Sequence, residues 1–218
     1  MQPSGWKEVY RRGRDLYTRN LTPGRRVYGE DVHTEDGVEY RRWDPFRSKL
    51  AAYLLRARPH ALFEDVGTVL YLGGGHGTTV SHLSDILPDA RIVVVEKSPL
   101  AFAPLLALAQ DRPNLRPILA DAQLPERYAA DVGRAELLYQ DVAQRTQASI
   151  FVENSRACLA ARGRGLLMLK VRSVTQARPA AAVLDEARRI LTAAGHVVRG
   201  TVDLAPLSRE HLAMRLDA

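Results

Sequence analysis

Hydrophobic and polar positions change rhythm at about residue 66. Before it, apolar residues are scattered among Arg, Tyr, Gly and Asp, with no long helical period. After it, short continuous apolar runs alternate with stretches of helical period. The apolar runs predict strands over residues 66–72, 91–96, 115–119, 136–140 and 165–170. Helices are predicted between them over 78–87, 99–111, a short stretch near 125–130, and 145–161, and a last one over 179–194 closes at Gly195. Continuous apolar strands separated by helices imply a parallel sheet covered on both faces. The end breaks the rhythm. Residues 197–203 and 211–216 read as two strands around a Pro206 loop with no helix between, so one of the final pair runs antiparallel.

The first 46 residues read as a small N-terminal antiparallel β module. Asp36-Gly37 lies between two extended runs, the signature of a hairpin with a primed turn. Val9-Tyr10 and Leu16-Tyr17-Thr18 supply further strands around Gly13. Asp44-Pro45 ends the module. A helix is expected over 47–55, with Leu50, Leu54 and Leu55 on one stripe, Pro59 beyond its end, and Lys49 beside the apolar face rather than opposite it. The expected division is therefore 1–46 and 47–218.

Composition changes this picture modestly. A chain of 218 residues, 46% apolar and 26% charged, suits one core domain with a small appendage. Lys and Arg number 31 against 25 Asp and Glu, a net charge of +6, which suggests a polyanionic partner such as nucleic acid. Arg11, Arg12, Arg14, Arg25, Arg26, Arg41 and Arg42 of the N-terminal module either touch RNA phosphates or form a solvated basic face. The single cysteine, Cys158, cannot form an intrachain disulfide and reads as a small buried hydrophobe. A reducing, cytoplasmic setting is expected from it, and from a polar start without a signal-peptide apolar core. No apolar run approaches the ~18 residues of a membrane span. Zinc-ligand spacing, RNA-recognition aromatic motifs and recognition-helix signatures are all missing, so no metal site is expected.

Candidate chemistry begins at Tyr71-Leu72-Gly73-Gly74-Gly75-His76-Gly77-Thr78-Thr79. A strand stops at a glycine-rich turn and a helix begins. Glycines let the backbone approach a ligand, and the free N–H groups of the first helical turn point at it. Two ligand classes use this design, dinucleotides and S-adenosylmethionine. The dinucleotide fingerprint G-x-G-x-x-G needs a third glycine where this chain has Thr78. Gly73, Gly75 and Gly77 instead give the G-x-G-x-G spacing of methyltransferases. Glu96 closes the second strand, where a carboxylate accepts both ribose hydroxyls. Asp121-Ala122 closes the third, within reach of an adenine amino group, and Asp141 closes the fourth. Ligands bind outside the carboxyl ends of such strands, so these positions converge on one crevice. The plainer alternative is that Glu96 and Asp121 cap the helices that follow them. The layout expected is that of an α/β, Rossmann-like class I S-adenosylmethionine-dependent methyltransferase.

From about Leu21 to the end, the chain resembles fibrillarin in its short archaeal form. The resemblance rests on Trp43-Asp44-Pro45-Phe46-Arg47-Ser48-Lys49-Leu50-Ala51-Ala52, on Tyr71-Leu72-Gly73 with Gly77-Thr78-Thr79-Val80-Ser81-His82, on Asp141-Val142-Ala143-Gln144, and on Lys170-Val171-Arg172-Ser173. It implies methylation of ribose 2′-hydroxyls in rRNA and tRNA from S-adenosylmethionine. It also implies a C/D box guide RNA that selects the target, a Nop-type scaffold protein, and a kink-turn-binding protein of the ribosomal L7 type. Residues implied as catalytic are Lys49, Asp141, Lys170 and His211. Those implied for the cofactor, beside the glycines, are Thr78, Thr79, Glu96, Lys97, Asp121, Ala122, Asp141, Val142, Ala143 and Gln144. The chain departs from the family at Gly74, Gly75 and His76, where small residues such as Ala and Ser are usual, and at Lys97, where an aromatic is common. His76 either lines the methionine end of the pocket or points to solvent.

A ribose 2′-hydroxyl is a poor nucleophile at neutral pH, so the task is in-line positioning plus removal of a proton. Lys170 is expected to take that proton or to stabilise the developing oxyanion. Lys49 and His211 would hold the ribose, and Asp141 would orient the lysines. The rival enzymes are a small-molecule O-methyltransferase, disfavoured by the two lysines and the basic N-terminal module, and a nicotinamide dehydrogenase, disfavoured by Thr78. A non-catalytic component of an RNA particle with the same fold is the non-enzymatic rival.

Overall fold

The structure is a computed structural model that describes residues 1–174, 177 and 179–218. Among the described residues the strands form two sheets. The first holds β1 (Gln2–Pro3), β2 (Val9–Arg12), β3 (Asp15–Arg19), β4 (Val32–Glu35) and β5 (Val38–Trp43), in the order β1-β2-β3-β5-β4 and antiparallel throughout. Asp36 and Gly37 join β4 to β5 with φ of 52° and 76°, the backbone a primed turn requires.

Helix α1 (Lys49–Arg56) follows at once, because the Ser48 hydroxyl accepts the Ala51 N–H and so caps its first turn. The second sheet contains β6 (Thr68–Leu72), β7 (Arg91–Glu96), β8 (Leu115–Leu119), β9 (Ala135–Gln140), β10 (Leu159–Lys170), β11 (Val197–Asp203) and β12 (His211–Asp217). Its order is β11-β12-β10-β9-β6-β7-β8; β6 to β10 are parallel, and β12 runs antiparallel to both β10 and β11. The strand order reverses between β6 and β9, where a crevice opens at the carboxyl ends of the strands.

Helices α2 (Thr78–Ile86) and α3 (Pro99–Gln110) cover one face together with α1 and the first sheet. Trp6, Leu16 and Trp43 share one apolar cluster with Leu54, Leu83 and Ile86. Helices α4 (Ala129–Val132), α5 (Gln147–Cys158) and α7 (Ala180–Ala193) cover the other face, burying Val132, Phe151 and Leu191. Among the described residues between β10 and α7 is a four-residue helix, α6 (Val171–Val174).

Three expectations need correction. The short helix near 125–130 divides into a 3-10 turn, Pro125–Arg127, and α4. Helix α5 stops at Cys158, and β10 starts at Leu159 rather than at 165, because Leu159 already pairs with Ala135 ahead of a bulge before Arg164. The third is Arg41. It does not face solvent and cannot reach a phosphate. On β5 alternate residues turn inward, and Arg41 lies with Trp43 on the buried side. Its guanidinium donates to Glu30 Oε1 at 2.6 Å, Asp85 Oδ2 at 2.8 Å and Ser81 Oγ at 2.9 Å. Arg112, also fully buried, donates to Asp85 Oδ1 at 2.7 Å. Buried charge of this kind persists only where it is paired, and here the pairs join the first sheet to α2. Arg12, Arg14, Arg25 and Arg26 remain exposed. Cys158 is buried, as a small hydrophobe would be.

Candidate functional site

The crevice at the strand reversal is a cavity of about 410 Å³, lined by Lys49, Gly73, Gly75, Val95, Glu96, Lys97, Ala120, Ala122, Asp141, Val142, Ala143 and Gln144. Its floor is set by a close approach. Gly73 has φ 86°, and a Cβ there would lie 2.3 Å from the Asp141 carbonyl oxygen. Only glycine lets β6 leave the sheet at that point. Gly77, at φ 88°, starts α2, and a Cβ on it would meet Leu108 at 2.7 Å. It supports the loop from behind rather than facing the cavity. Thr78 opens the helix, and Thr79 is buried, its hydroxyl donating to Ser48 at 3.0 Å. His76 is exposed and outside the cavity lining.

Glu96 sits at the end of β7, and its carboxylate closes the loop. One oxygen accepts the Gly75 N–H and the other the Ser98 N–H, each at 2.8 Å. The plain reading and the functional one therefore meet in one side chain, because the oxygen that braces the helix start belongs to a carboxylate on the cavity wall. Asp121 stands just behind the lining. Its Oδ1 accepts from the Gln144 amide at 2.9 Å and from the Gln123 N–H at 3.0 Å, while Lys97 lies 3.9 Å from its other oxygen. Partial burial pushes its pKa up, but the two donors and the lysine outweigh that and hold it below the usual carboxylate range.

At the mouth, Lys49 Nζ and Asp141 Oδ2 form an ion pair at 2.7 Å. Lys49 is the first residue of α1, and Asp141 follows the last residue of β9, so helix and sheet meet at this contact. Lys170 ends β10, and its ladder partner across β12 is His211. The imidazole of His211 is buried, and its pKa is lowered by that burial and then by the charge of Lys49, with Lys170 adding to the same effect. The His211 ring therefore lies within the electrostatic reach of Lys49, Asp141 and Lys170. His211 Nδ1 lies 2.9 Å from the Arg209 carbonyl, which only accepts, so Nδ1 carries the proton. Nε2 is then a lone-pair acceptor, buried and without a partner among the described residues.

Sequence reasoning overlooked Val95 and Ala120, small apolar wall residues with no local mark. It also overlooked Gln147. This residue is 1% exposed, its Oε1 accepts the Lys170 N–H at 2.8 Å, and its Nε2 donates to the Lys170 carbonyl at 3.1 Å. Among the described residues no cluster of three or more His, Cys, Asp or Glu side chains could hold a metal.

Comparison with known proteins is consistent across the whole chain. The family model described as Fibrillarin matches residues 4–216, which extends the likeness through the N-terminal module. A fibrillarin-like rRNA/tRNA 2′-O-methyltransferase of Thermoplasma acidophilum is 39% identical over 214 residues, spanning 98% of this chain and 91% of that protein. Aeropyrum pernix fibrillarin, solved in complex with natively bound S-adenosyl-L-methionine, superposes with a TM-score of 0.90 at 38% identity, over 99% of this chain and 96% of that one. A fibrillarin/Nop5p complex gives a TM-score of 0.85 at 33% identity, over 99% of both chains. With the fold, the crevice and the matching of nearly every residue in agreement, the chain belongs to the fibrillarin family.

Proposed function

We propose that the chain transfers a methyl group from S-adenosylmethionine to ribose 2′-hydroxyls of rRNA and tRNA. The observation that carries this reading is the 2.7 Å Lys49–Asp141 pair at the mouth of a glycine-floored crevice. The relatives' names supply the substrate class. The crevice suits the cofactor, since its volume lies within the range of about 300–1,000 Å³ typical of small-molecule sites, and a side chain at Gly73 would block its floor.

In this reading the loop at Gly73 and Gly75 would hold the methionine end, Glu96 would receive the ribose hydroxyls, and Asp121 with Val142–Gln144 would bracket the adenine. When bound, the cofactor supplies a methyl group activated by a sulfonium. Lys49, held by its ion pair with Asp141, orients the ribose. Lys170, whose hydrogen bonds to Gln147 run through its backbone, either takes the hydroxyl proton as a neutral amine or, as an ammonium, stabilises the developing oxyanion. The free Nε2 lone pair of His211 accepts a hydrogen bond from the ribose hydroxyl or from Lys170.

Target choice is delegated in the same proposal to a C/D box guide RNA. A Nop-type scaffold holds the enzyme on the particle, and a kink-turn-binding protein of the ribosomal L7 type contributes indirectly. The exposed arginines of the N-terminal module, Arg12, Arg14, Arg25 and Arg26, are available for RNA backbone. Reconstitution with scaffold, L7-type protein and one guide, followed by mapping of 2′-O-methyl groups, tests this. Methylation at the guide-specified ribose is expected, with little on naked RNA. Equal transfer without guide or scaffold would reject the delegation, and a reconstituted particle that transfers no methyl would reject the activity.

A further inference from the structure

The parallel ladder between β9 and β10 ends at Leu167, which pairs with Gln140. Chain β9 then leaves the sheet at Asp141, so the peptide of Lys170 has no strand beside it on that edge. The side chain of Gln147 stands where that strand is missing. A primary amide carries the same donor and acceptor as a peptide, and here both are used. Gln147 accepts the Lys170 N–H at 2.8 Å and donates to the Lys170 carbonyl at 3.1 Å. On the opposite edge Lys170 is paired with His211 of β12. Directly after Lys170 the chain turns into α6, with Val171 N–H on the Glu210 carbonyl at 3.0 Å. Without Gln147, the last residue of β10 would be held on one edge only, at the point where the chain changes direction.

A second glutamine extends the contact. Gln140, fully buried, donates through Nε2 to the backbone carbonyl of Gln147 at 2.7 Å. Gln140 is the residue immediately before Asp141. The hydrogen bonds thus run from the end of β9, through the first residue of α5, to the end of β10, and both termini of that path carry groups of the proposed reaction.

We propose that Gln147 is a positioning residue: by replacing the absent strand, and through its bond to Gln140, it holds Lys170 in register with Asp141. The inference rests on the role given to Lys170 above. Its energetic sense is preorganisation, because a displacement of about 1 Å at a reacting group can cost on the order of 10²-fold in rate.

The test uses the reconstituted particle and measures single-turnover methyl transfer per cofactor-bound enzyme. Gln147→Leu keeps the volume and removes both bonds. Its rate is expected to fall about tenfold or more, while cofactor affinity stays within about twofold, because Gln147 does not line the crevice. Gln147→Glu gives a sharper readout. Protonated, the carboxyl has a donor and an acceptor and reproduces the amide; ionised, it cannot donate to the Lys170 carbonyl. The rate of Gln147→Glu relative to the native enzyme at the same pH is expected to rise from about pH 8 to about pH 6. A purely structural role would change the folded fraction and leave the rate per bound cofactor unaltered. If Gln147→Leu does not fold, the pH dependence of Gln147→Glu decides alone. Native rates in the folded variants, or a flat Gln147→Glu ratio, overturn the inference. Lys170→Ala in the same assay separates the two readings. If it transfers methyl normally, the role of Lys170 is wrong; if it is inactive while both Gln147 variants are native-like, only the positioning role falls.

Discussion

A single lysine at the end of a strand has many ordinary explanations, and what distinguishes Lys170 is its company. Its backbone is held on both edges, and its ladder partner is a histidine whose Nε2 has no partner among the described residues. Lys170→Ala is therefore expected to lower methyl transfer by about 10²-fold or more while cofactor binding, measured by calorimetry, changes less than about twofold; native transfer would remove Lys170 from the reaction. Gly73 makes the opposite prediction. Its positive φ and the 2.3 Å approach of a Cβ to the Asp141 carbonyl leave no room for a methyl group. Gly73→Ala should cost about 1–3 kcal/mol of stability and weaken cofactor binding at least tenfold, since the same backbone forms the crevice floor. Unchanged affinity and melting would show that the floor yields. Gly73, Gly75, Glu96, Lys49 and Asp141 could be read from the sequence as crevice residues because each stands in a dense motif or closes an apolar strand. Gln147 could not be read in this way, because its work is done by a side chain on a distant backbone, and a glutamine at a helix start carries no local mark.

Among elements, legibility followed burial. Strands β6, β7 and β9 and the second half of β10 lie inside a two-faced sheet and show as largely apolar runs, so their cores could be read directly. The first sheet is buried on one side only, and its sequence is mixed. Strand β5 reads Val38-Glu39-Tyr40-Arg41-Arg42-Trp43, and nothing in the adjacent pair of arginines says which one is inside. The structure resolves it by alternation. Arg42 faces out to Asp15 at 2.9 Å, while Arg41 meets Glu30 and Asp85. The latter contact is the polar joint between the first sheet and α2. His82 belongs to the same joint. It stacks on Trp43 with ring centroids 4.8 Å apart, and its two nitrogens reach Thr18 and Tyr28, each at 2.7 Å. Arg41→Met leaves two buried carboxylates short of a cation, and should destabilise the protein by about 3–5 kcal/mol in denaturant titration. Arg12→Met, at an exposed position of the same sheet, should lie within about 0.5 kcal/mol of the native protein. Equal effects of the two substitutions would mean that the joint is not a source of stability.

At the scale of the whole molecule, these buried side chains make stability depend on pH in one direction. Burial lowers the pKa of His60, to about 4, and lowers those of His82, His196 and His211 as well. In the unfolded chain each returns to the ordinary histidine value of about 6.5. The unfolded state therefore binds more protons than the folded state as pH falls through 6.5, and the stability gained by keeping these rings neutral is complete above that pH and lost below it. Each ring that stays uncharged contributes at most about 1.4 kcal/mol per pH unit to the decline. The loss from His60 levels off near its folded value of about 4. Glu30 extends the loss below the ordinary carboxylate range: burial raises its pKa, but Arg41 and backbone N–H donors outweigh this and leave it lowered. Unfolding free energy measured in denaturant should accordingly be level from about pH 8 to about pH 7 and fall steeply between about pH 6 and pH 5. A level profile down to about pH 5 would show that the four rings are already protonated in the folded protein. The same rings connect stability to the proposed reaction. Protonating His211 would occupy the Nε2 lone pair and place a further positive charge near Lys49 and Lys170, so methyl transfer should fail on acidification before the fold does. Transfer that persists until global unfolding would separate His211 from the site, whereas earlier loss, with circular dichroism still native, would place its neutral form in the reaction.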